Sequence, residues 1–155
     1  MKKRICFIGH RWLPEITVKP ILEKEIRKQL DNGNRQFAMG THGDFDKLAL
    51  SVCRQLRHEY PDMIIEVVLT SLHPINLRYE DKTYSLYDDV KTVIYNIEET
   101  HFKQRINESN KQMINYSDIL ICYVNTNYTN SGAKTAYNYA KRKGLEIINL
   151  YNETL

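Results

Sequence analysis

Five short runs rich in Ile, Val, Phe and Tyr set the strongest limit on how this chain can fold: Ile5 to Ile8, Gln36 to Met39, Met63 to Leu69, Ile119 to Val124 and Leu145 to Leu150. They are continuous more than alternating, which is the pattern of strands covered on both faces. Between them the apolar residues take up a helical period. Ile21, Leu22, Ile26 and Leu30 share a face that Asn32-Gly33 ends, with Pro20 suited to the first turn. Phe45, Leu48, Ala49, Val52, Cys53 and Leu56 make the clearest stripe, and Pro61 lies just beyond it. Ile106, Met113 and Ile114 mark a third helix. Ala133, Ala136, Tyr137 and Ala140 mark a fourth, closed by Lys143-Gly144.

Strand and helix therefore alternate from end to end. That order predicts an α/β fold: a Rossmann-like, doubly wound, mainly parallel sheet of about five strands flanked by helices. With 155 residues, no internal repeat and no Pro/Gly/Ser linker, the chain reads as a single domain over residues 1–155. The stretch from Ser71 to Thr100 fits least well. Its Tyr79, Tyr84, Tyr87 and Tyr95 mix with charge and keep no period, so it reads as a long loop plus a short helix or edge strand.

Composition narrows the function. Lys+Arg 22 against Asp+Glu 19 leaves a net charge of +3, too sparse for a dedicated nucleic-acid coat yet compatible with a single phosphate site. Nucleic acid is therefore not an expected partner. No run approaches the roughly 20 apolar residues of a membrane span, and Met1-Lys2-Lys3-Arg4 with its short apolar sequel reads as neither export signal nor anchor. No membrane partner is expected. Cys6, Cys53 and Cys122 are far apart, odd in number and set among aliphatic neighbours. They read as core residues of a cytoplasmic protein, not as a disulfide frame or a zinc knuckle.

In open parallel sheets a ligand binds outside the carboxyl ends of the strands. Glycine and polar residues collect there: Gly9-His10-Arg11-Trp12, then Gly40-Thr41-His42-Gly43-Asp44-Phe45-Asp46, then Thr70-Ser71-Leu72-His73-Pro74, then Asn125 to Asn130 followed by Ser131-Gly132-Ala133-Lys134-Thr135. Two of these segments open a helix, where unpaired N–H groups and the positive dipole end favour an anion such as phosphate. Glycine lets a phosphate reach the backbone, and Ser131 and Thr135 add hydroxyls. Glycines at such turns also serve geometry alone. Neither the dinucleotide fingerprint nor the Walker loop is present, which argues against P-loop ATP hydrolysis.

Several of these residues have plain structural readings. Asp44 stands where a helix N-cap is wanted, and Asp46 falls in a first turn where the dipole favours a carboxylate anyway. His10, His42 and His73 lack a helix-borne His-x-x-x-His or a Cys-x-x-Cys, so they read as polar loop histidines and no metal is expected. Arg11 suits either a surface ion pair or a pocket. Trp12 suits stacking on a base or capping the sheet. Asp118, at the amino end of its strand, reads as a structural partner. Tyr128, Tyr137 and Tyr139 fit core packing or a dimer contact.

The order Cys6-Phe7-Ile8-Gly9-His10-Arg11, Gly40-x-x-Gly43-x-x-Asp46-x-x-Ala49, Asn110-x-x-Met113-Ile114-x-x-Ser117-Asp118-Ile119-Leu120-Ile121 and Ser131-Gly132-x-x-Thr135-x-x-x-Tyr139-Ala140 resembles the SLOG superfamily. Those are Rossmann-like domains related to the Lonely-guy phosphoribohydrolases and the DprA nucleotide-binding fold. The resemblance implies a pocket for a nucleotide or nucleotide-derived small molecule, in either a ligand sensor or an enzyme acting on an N-glycosidic bond. It implies that Gly9, Arg11, Gly40, Asp46, Asn110, Gly132 and Thr135 line the pocket; with His10, Thr41, Gly43 and Ser131 of the same strand-end turns they make the expected ligand-binding set. Arg11 would face phosphate or ribose, Asp46 would bond a ribose hydroxyl or order its turn, and the helix starting near Ser131 would hold a phosphate. No separate cofactor is implied, and a homodimer or higher homo-oligomer is.

One departure bears on the chemistry. Lonely-guy enzymes carry Pro-Gly-Gly-x-Gly-Thr-x-x-Glu with a catalytic glutamate, whereas this chain has Asn138 at that place and Lys134 where the enzymes have a small residue. An amide neither exchanges a proton nor stabilises a cationic centre by charge. Asp46, Glu98 or Glu99 would have to supply the carboxylate. Binding module and enzyme thus stay open, and an effector, if there is one, is expected on another polypeptide.

Overall fold

A computed structural model describes residues 2–70, 87–95, 101, 104–128 and 131–154. In chain order the elements are β1 (Arg4–Gly9), α1 (Glu15–Asp31), β2 (Gln36–Met39), α2 (Asp44–Arg57), β3 (Ile64–Leu69), β4 (Lys91–Ile94), α3 (Arg105–Asn115), β5 (Ile119–Tyr123), α4 (Gly132–Lys143) and β6 (Glu146–Asn149), followed by a 3-10 turn over Leu150–Thr154. The strands make one six-stranded sheet in the order β4-β3-β2-β1-β5-β6. Every pairing is parallel.

The continuous apolar runs are explained by two cores, one on each face. Successive strand side chains point to opposite faces, so β1 sends Ile5 and Phe7 one way and Cys6 and Ile8 the other. On the first face α1 and α2 close over Phe7, Phe37, Met39 and Val67 with Leu22, Ile26, Val52 and Leu56. On the second, α3 and α4 close over Cys6, Ile8, Leu120 and Cys122 with Met113, Ile114, Ala136 and Ala140. Burying one large aliphatic or aromatic side chain contributes about 1.5–3 kcal/mol, so a strand with both faces covered gains twice from the same length of backbone. The small Ala136 and Ala140 let α4 lie close to the sheet. Gly144 ends it in the left-handed conformation, φ +83°.

Three expectations need adjustment. The sheet has a sixth strand, β4, which is the edge strand within the Ser71 to Thr100 stretch; it is short and mostly exposed, so it carries no apolar signature. Residues 71–86 and 96–100, with His73, Glu98 and Glu99, lie outside the described residues. Second, α1 begins at Glu15, so Pro20 sits inside the helix and not in its first turn. The early turn is hidden in the sequence because its Ile16 is 93% exposed while the buried Leu13 anchors the chain ahead of it. The N–H that Pro20 lacks would have bonded the Ile16 carbonyl, in a turn that faces solvent, so the helix loses that bond where burial does not penalise it. Third, Asp44 is not the N-cap of α2. Gly43 takes that place with φ +112°, no side chain caps the helix, and the Asp44 N–H donates to the Arg11 carbonyl at 2.7 Å.

The three cysteines are free and buried, and burial pushes the Cys6 thiol up to about 12. Among the described residues no helix is long and apolar enough to cross a membrane.

Candidate functional site

Chain order reverses across β1. From β1 the sheet grows through β2, β3 and β4 on one side and through β5 and β6 on the other. The loops leaving β1 and β5 must therefore part, and a cleft of about 380 Å³ opens between them at the carboxyl ends of the strands. That volume suits a small organic ligand.

The first wall is built from two loops tied together. Gly9 ends β1, and a Cβ there would overlap the Phe45 ring, so glycine is what lets the start of α2 rise beside the strand. Gly43 approaches Arg11 so closely that a Cβ would lie 2.6 Å from the Arg11 Cα. With the Asp44 N–H on the Arg11 carbonyl, the β1–α1 and β2–α2 loops form one unit. Arg11 is exposed, lines the cleft, and has no ion pair among the described residues.

His10 locks the β1 end to the β5 end. Its own N–H donates to the Tyr123 carbonyl at 3.2 Å, and its Nε2 accepts the Asn125 N–H at 2.8 Å. That acceptor role fixes the neutral tautomer with the proton on Nδ1. Partial burial lowers the ring's pKa, which favours the same neutral form. Tyr128 lies against it, ring centroids 5.0 Å apart.

Asp46 is the unusual group. It projects from the first turn of α2 under Gly40, where a Cβ would come within 3.0 Å of Asp46 Oδ2. Oδ2 accepts the His42 N–H at 2.9 Å, and the Gly40 backbone also donates to the carboxylate. Burial nevertheless dominates and pushes the carboxyl up to about 7, with the two backbone donors opposing it. His42 stands beside it with Nε2 3.3 Å from the Thr70 Oγ1; burial, and then the Arg11 charge, lower its pKa.

The second wall comes from α3 and α4. Asn107 and Asn110, one helical turn apart on α3, present amides to the cleft. Ser131 caps α4, its Oγ accepting the Lys134 N–H at 3.3 Å and its carbonyl accepting the Thr135 N–H at 3.0 Å. The Gly132 and Ala133 N–H groups precede those bonds, at the positive end of the helix.

The cleft thus collects Gly9, His10, Arg11, Asp46, Asn110, Ser131 and Gly132 from the expected set. Gly40, Thr41, Gly43 and Thr135 are not on its lining. Gly40 and Gly43 are backing positions that admit Asp46 and Arg11, and the Thr135 hydroxyl turns back onto the Ser131 carbonyl at 3.1 Å. Thr41 is half-buried in the same loop. Asn107 was not among the expected residues, though its place three before Asn110 on a helix puts both on one face. His42, expected as a polar loop histidine, lines the cleft as well. Trp12 is 74% exposed and does not cap the sheet. Asn138 is exposed on α4 and is not on the cleft lining. Among the described residues no group of three or more His, Cys, Asp or Glu is placed to hold a metal.

A scan against protein-family models finds no match to this chain. A search of curated proteins finds none either.

Proposed function

We propose that the chain is a SLOG-like domain that binds a nucleotide or nucleotide-derived small molecule in this cleft. One observation carries the reading: the Arg11 guanidinium and the first amides of α4, both without partners among the described residues, border the same small cavity at the point where chain order reverses. A phosphate between them would take charge-assisted hydrogen bonds from one side and backbone N–H groups from the other. Asn107 and Asn110, each able to donate and accept, suit a ribose or base edge. Such a domain works as a sensor or binding module of the cytoplasm, as a homodimer or higher homo-oligomer; light scattering reads the latter.

A thermal-shift screen across nucleotides, ADP-ribose forms and cyclic nucleotides tests the proposal. A ligand at 100 times its Kd adds about 2.7 kcal/mol of stability. Silence across the whole panel sinks it.

Asp46 favours a second reading, cleavage or transfer at the bond between base and sugar. A carboxyl raised to about 7 is suited to exchanging a proton near neutral pH. Incubation with nucleoside monophosphates and chromatography for free base tests this. Base release by the parent that disappears in Asp46→Asn supports the enzyme, and no release leaves the binding module.

A further inference from the structure

The cleft holds more titratable chemistry than anion binding alone requires. A guanidinium and two helix amides would suffice for a phosphate, yet a carboxyl sits in the same wall, next to where the negative charge would go. An ionised carboxylate there opposes the ligand. A protonated one offers an O–H to an anion oxygen. We infer that an anion entering this cleft binds together with one proton, taken up from solvent by the Asp46 carboxyl, so that ligand affinity falls as pH rises. This rests on the binding reading above and adds the protonation state in which the site accepts its ligand.

The geometry supports the assignment element by element. From its own loop, Asp46 receives backbone N–H groups, those of His42 and Gly40, which favour the ionised carboxyl yet still find an acceptor oxygen on the protonated one. Among the described residues no cation forms an ion pair with it. His42 stands in the same wall, held toward its neutral form by burial and by Arg11. From the β1–α1 loop come Arg11, charged but exposed, and His10, whose Nε2 is committed to the Asn125 N–H. Ahead of β4, Tyr87 is close enough for the Asp46 charge to raise its own pKa, as burial does more strongly. On the cleft lining α3 and α4 contribute no charged side chain, only Ile106, Asn107, Asn110, Ser131, Gly132 and Ala133. Asp46 is thus the carboxyl on the cleft lining, held there by backbone donors, and an arriving negative charge favours its protonated form.

The sign follows from linkage. A ligand that raises the pKa of a group takes up protons, so its Kd rises with pH wherever the free group is ionised. The test uses sulfate, which stays a dianion throughout, and ADP-ribose, whose diphosphate is a diester. Titration calorimetry at pH 8 in two buffers of different ionisation enthalpy should show uptake of about one proton per anion, and the parent Kd should rise toward about tenfold between pH 7.5 and 8.5. Asp46→Asn keeps an oxygen for the His42 N–H and removes the titration. It should bind more tightly than the parent at pH 8.5, with a flat pH profile and no uptake. Binding by the parent without proton uptake overturns the inference and leaves the binding reading intact. Uptake that persists in Asp46→Asn moves the proton to His42 and overturns the assignment. Failure of sulfate, ADP-ribose and the nucleotide panel to bind at pH 6.5 removes both readings. Circular dichroism on the variant shows that it has folded.

Discussion

The two ends of the sheet are both rich in charge, and they treat it differently. At the amino ends charges meet partners. Arg4 Nη2 lies 2.5 Å from Glu66 Oε1, Lys91 approaches the other Glu66 oxygen at 3.5 Å, Arg35 Nε is 2.9 Å from Asp62, and Asp118 accepts the Arg4 N–H at 2.9 Å. A recess of about 450 Å³ opens there as well, and Arg4, Arg35 and Asp118 on its lining already have partners. At the carboxyl ends Arg11, without an ion pair among the described residues, and the half-buried Asp46 share a wall without forming a pair with each other. Compensated charge fixes strands in register. Charge without a partner is left available to a ligand, the arrangement on which the binding proposal rests.

Substitutions at each end can break or sharpen that contrast. The largest effect belongs to Gly9→Ala, whose methyl would overlap the Phe45 ring. Overpacking of this kind costs about 3 kcal/mol, and by pushing α2 away it should abolish ligand binding too, measured by urea unfolding and thermal shift. At the amino end, Glu66→Ala leaves Arg4 largely buried without its partner and should cost about 2–3 kcal/mol while ligand affinity stays at the parent value. A loss of affinity there would erase the distinction between the ends.

Arg11→Ala should do the opposite. The side chain is exposed and without an ion pair among the described residues, so the unfolding midpoint barely moves. Affinity for a phosphate-bearing ligand falls by roughly tenfold to a hundredfold, the value of a hydrogen bond to a charged group.

The pH dependence of stability separates Asp46 in a similar way. Its carboxyl is raised above the unfolded value of 3.8 to about 7, so the folded state binds the proton more tightly. Its contribution is fully present below the unfolded value and is lost as pH rises through the folded one. Asp46→Asn removes that loss: its melting temperature relative to the parent should climb between pH 4 and pH 7 and then level off. A smaller effect of opposite sign comes from His10, whose pKa is lowered by burial. Its stabilisation is present at neutral pH and lost as pH falls below the unfolded value of 6.5, because a protonated Nε2 cannot accept the Asn125 N–H. Comparing His10→Asn with the parent from pH 7.5 to 5 isolates it.

Which parts of the molecule could be read from the sequence follows from where burial is concentrated. The α2 stripe of Phe45, Leu48, Ala49, Val52, Cys53 and Leu56 is buried at every position and was legible, although its cap was not. The first turn of α1 was not, because its apolar residue Ile16 faces water and Leu13 lies outside the period. β4 escaped for a related reason, since an edge strand of four mostly exposed residues has no burial to advertise. In the cleft, the loop glycines were visible, but the division of labour among them was not. Gly9 borders the cavity while Gly40 and Gly43 stand behind it, a difference of a few ångströms in three dimensions that spacing along a chain does not encode. The raised pKa of Asp46 was hidden for the same reason: desolvation depends on what folds over a residue.

The cysteines give the molecule a built-in clock. With all three thiols enclosed, one in the helix-packed first core and two between the sheet and the α3–α4 layer, an alkylating reagent in solution has nothing to attack until a layer lifts. The speed at which each thiol is trapped therefore reports how often its own layer opens. A bound ligand that staples the sheet to α3 and α4 should retard Cys6 and Cys122 more than Cys53, with no label or probe engineered in.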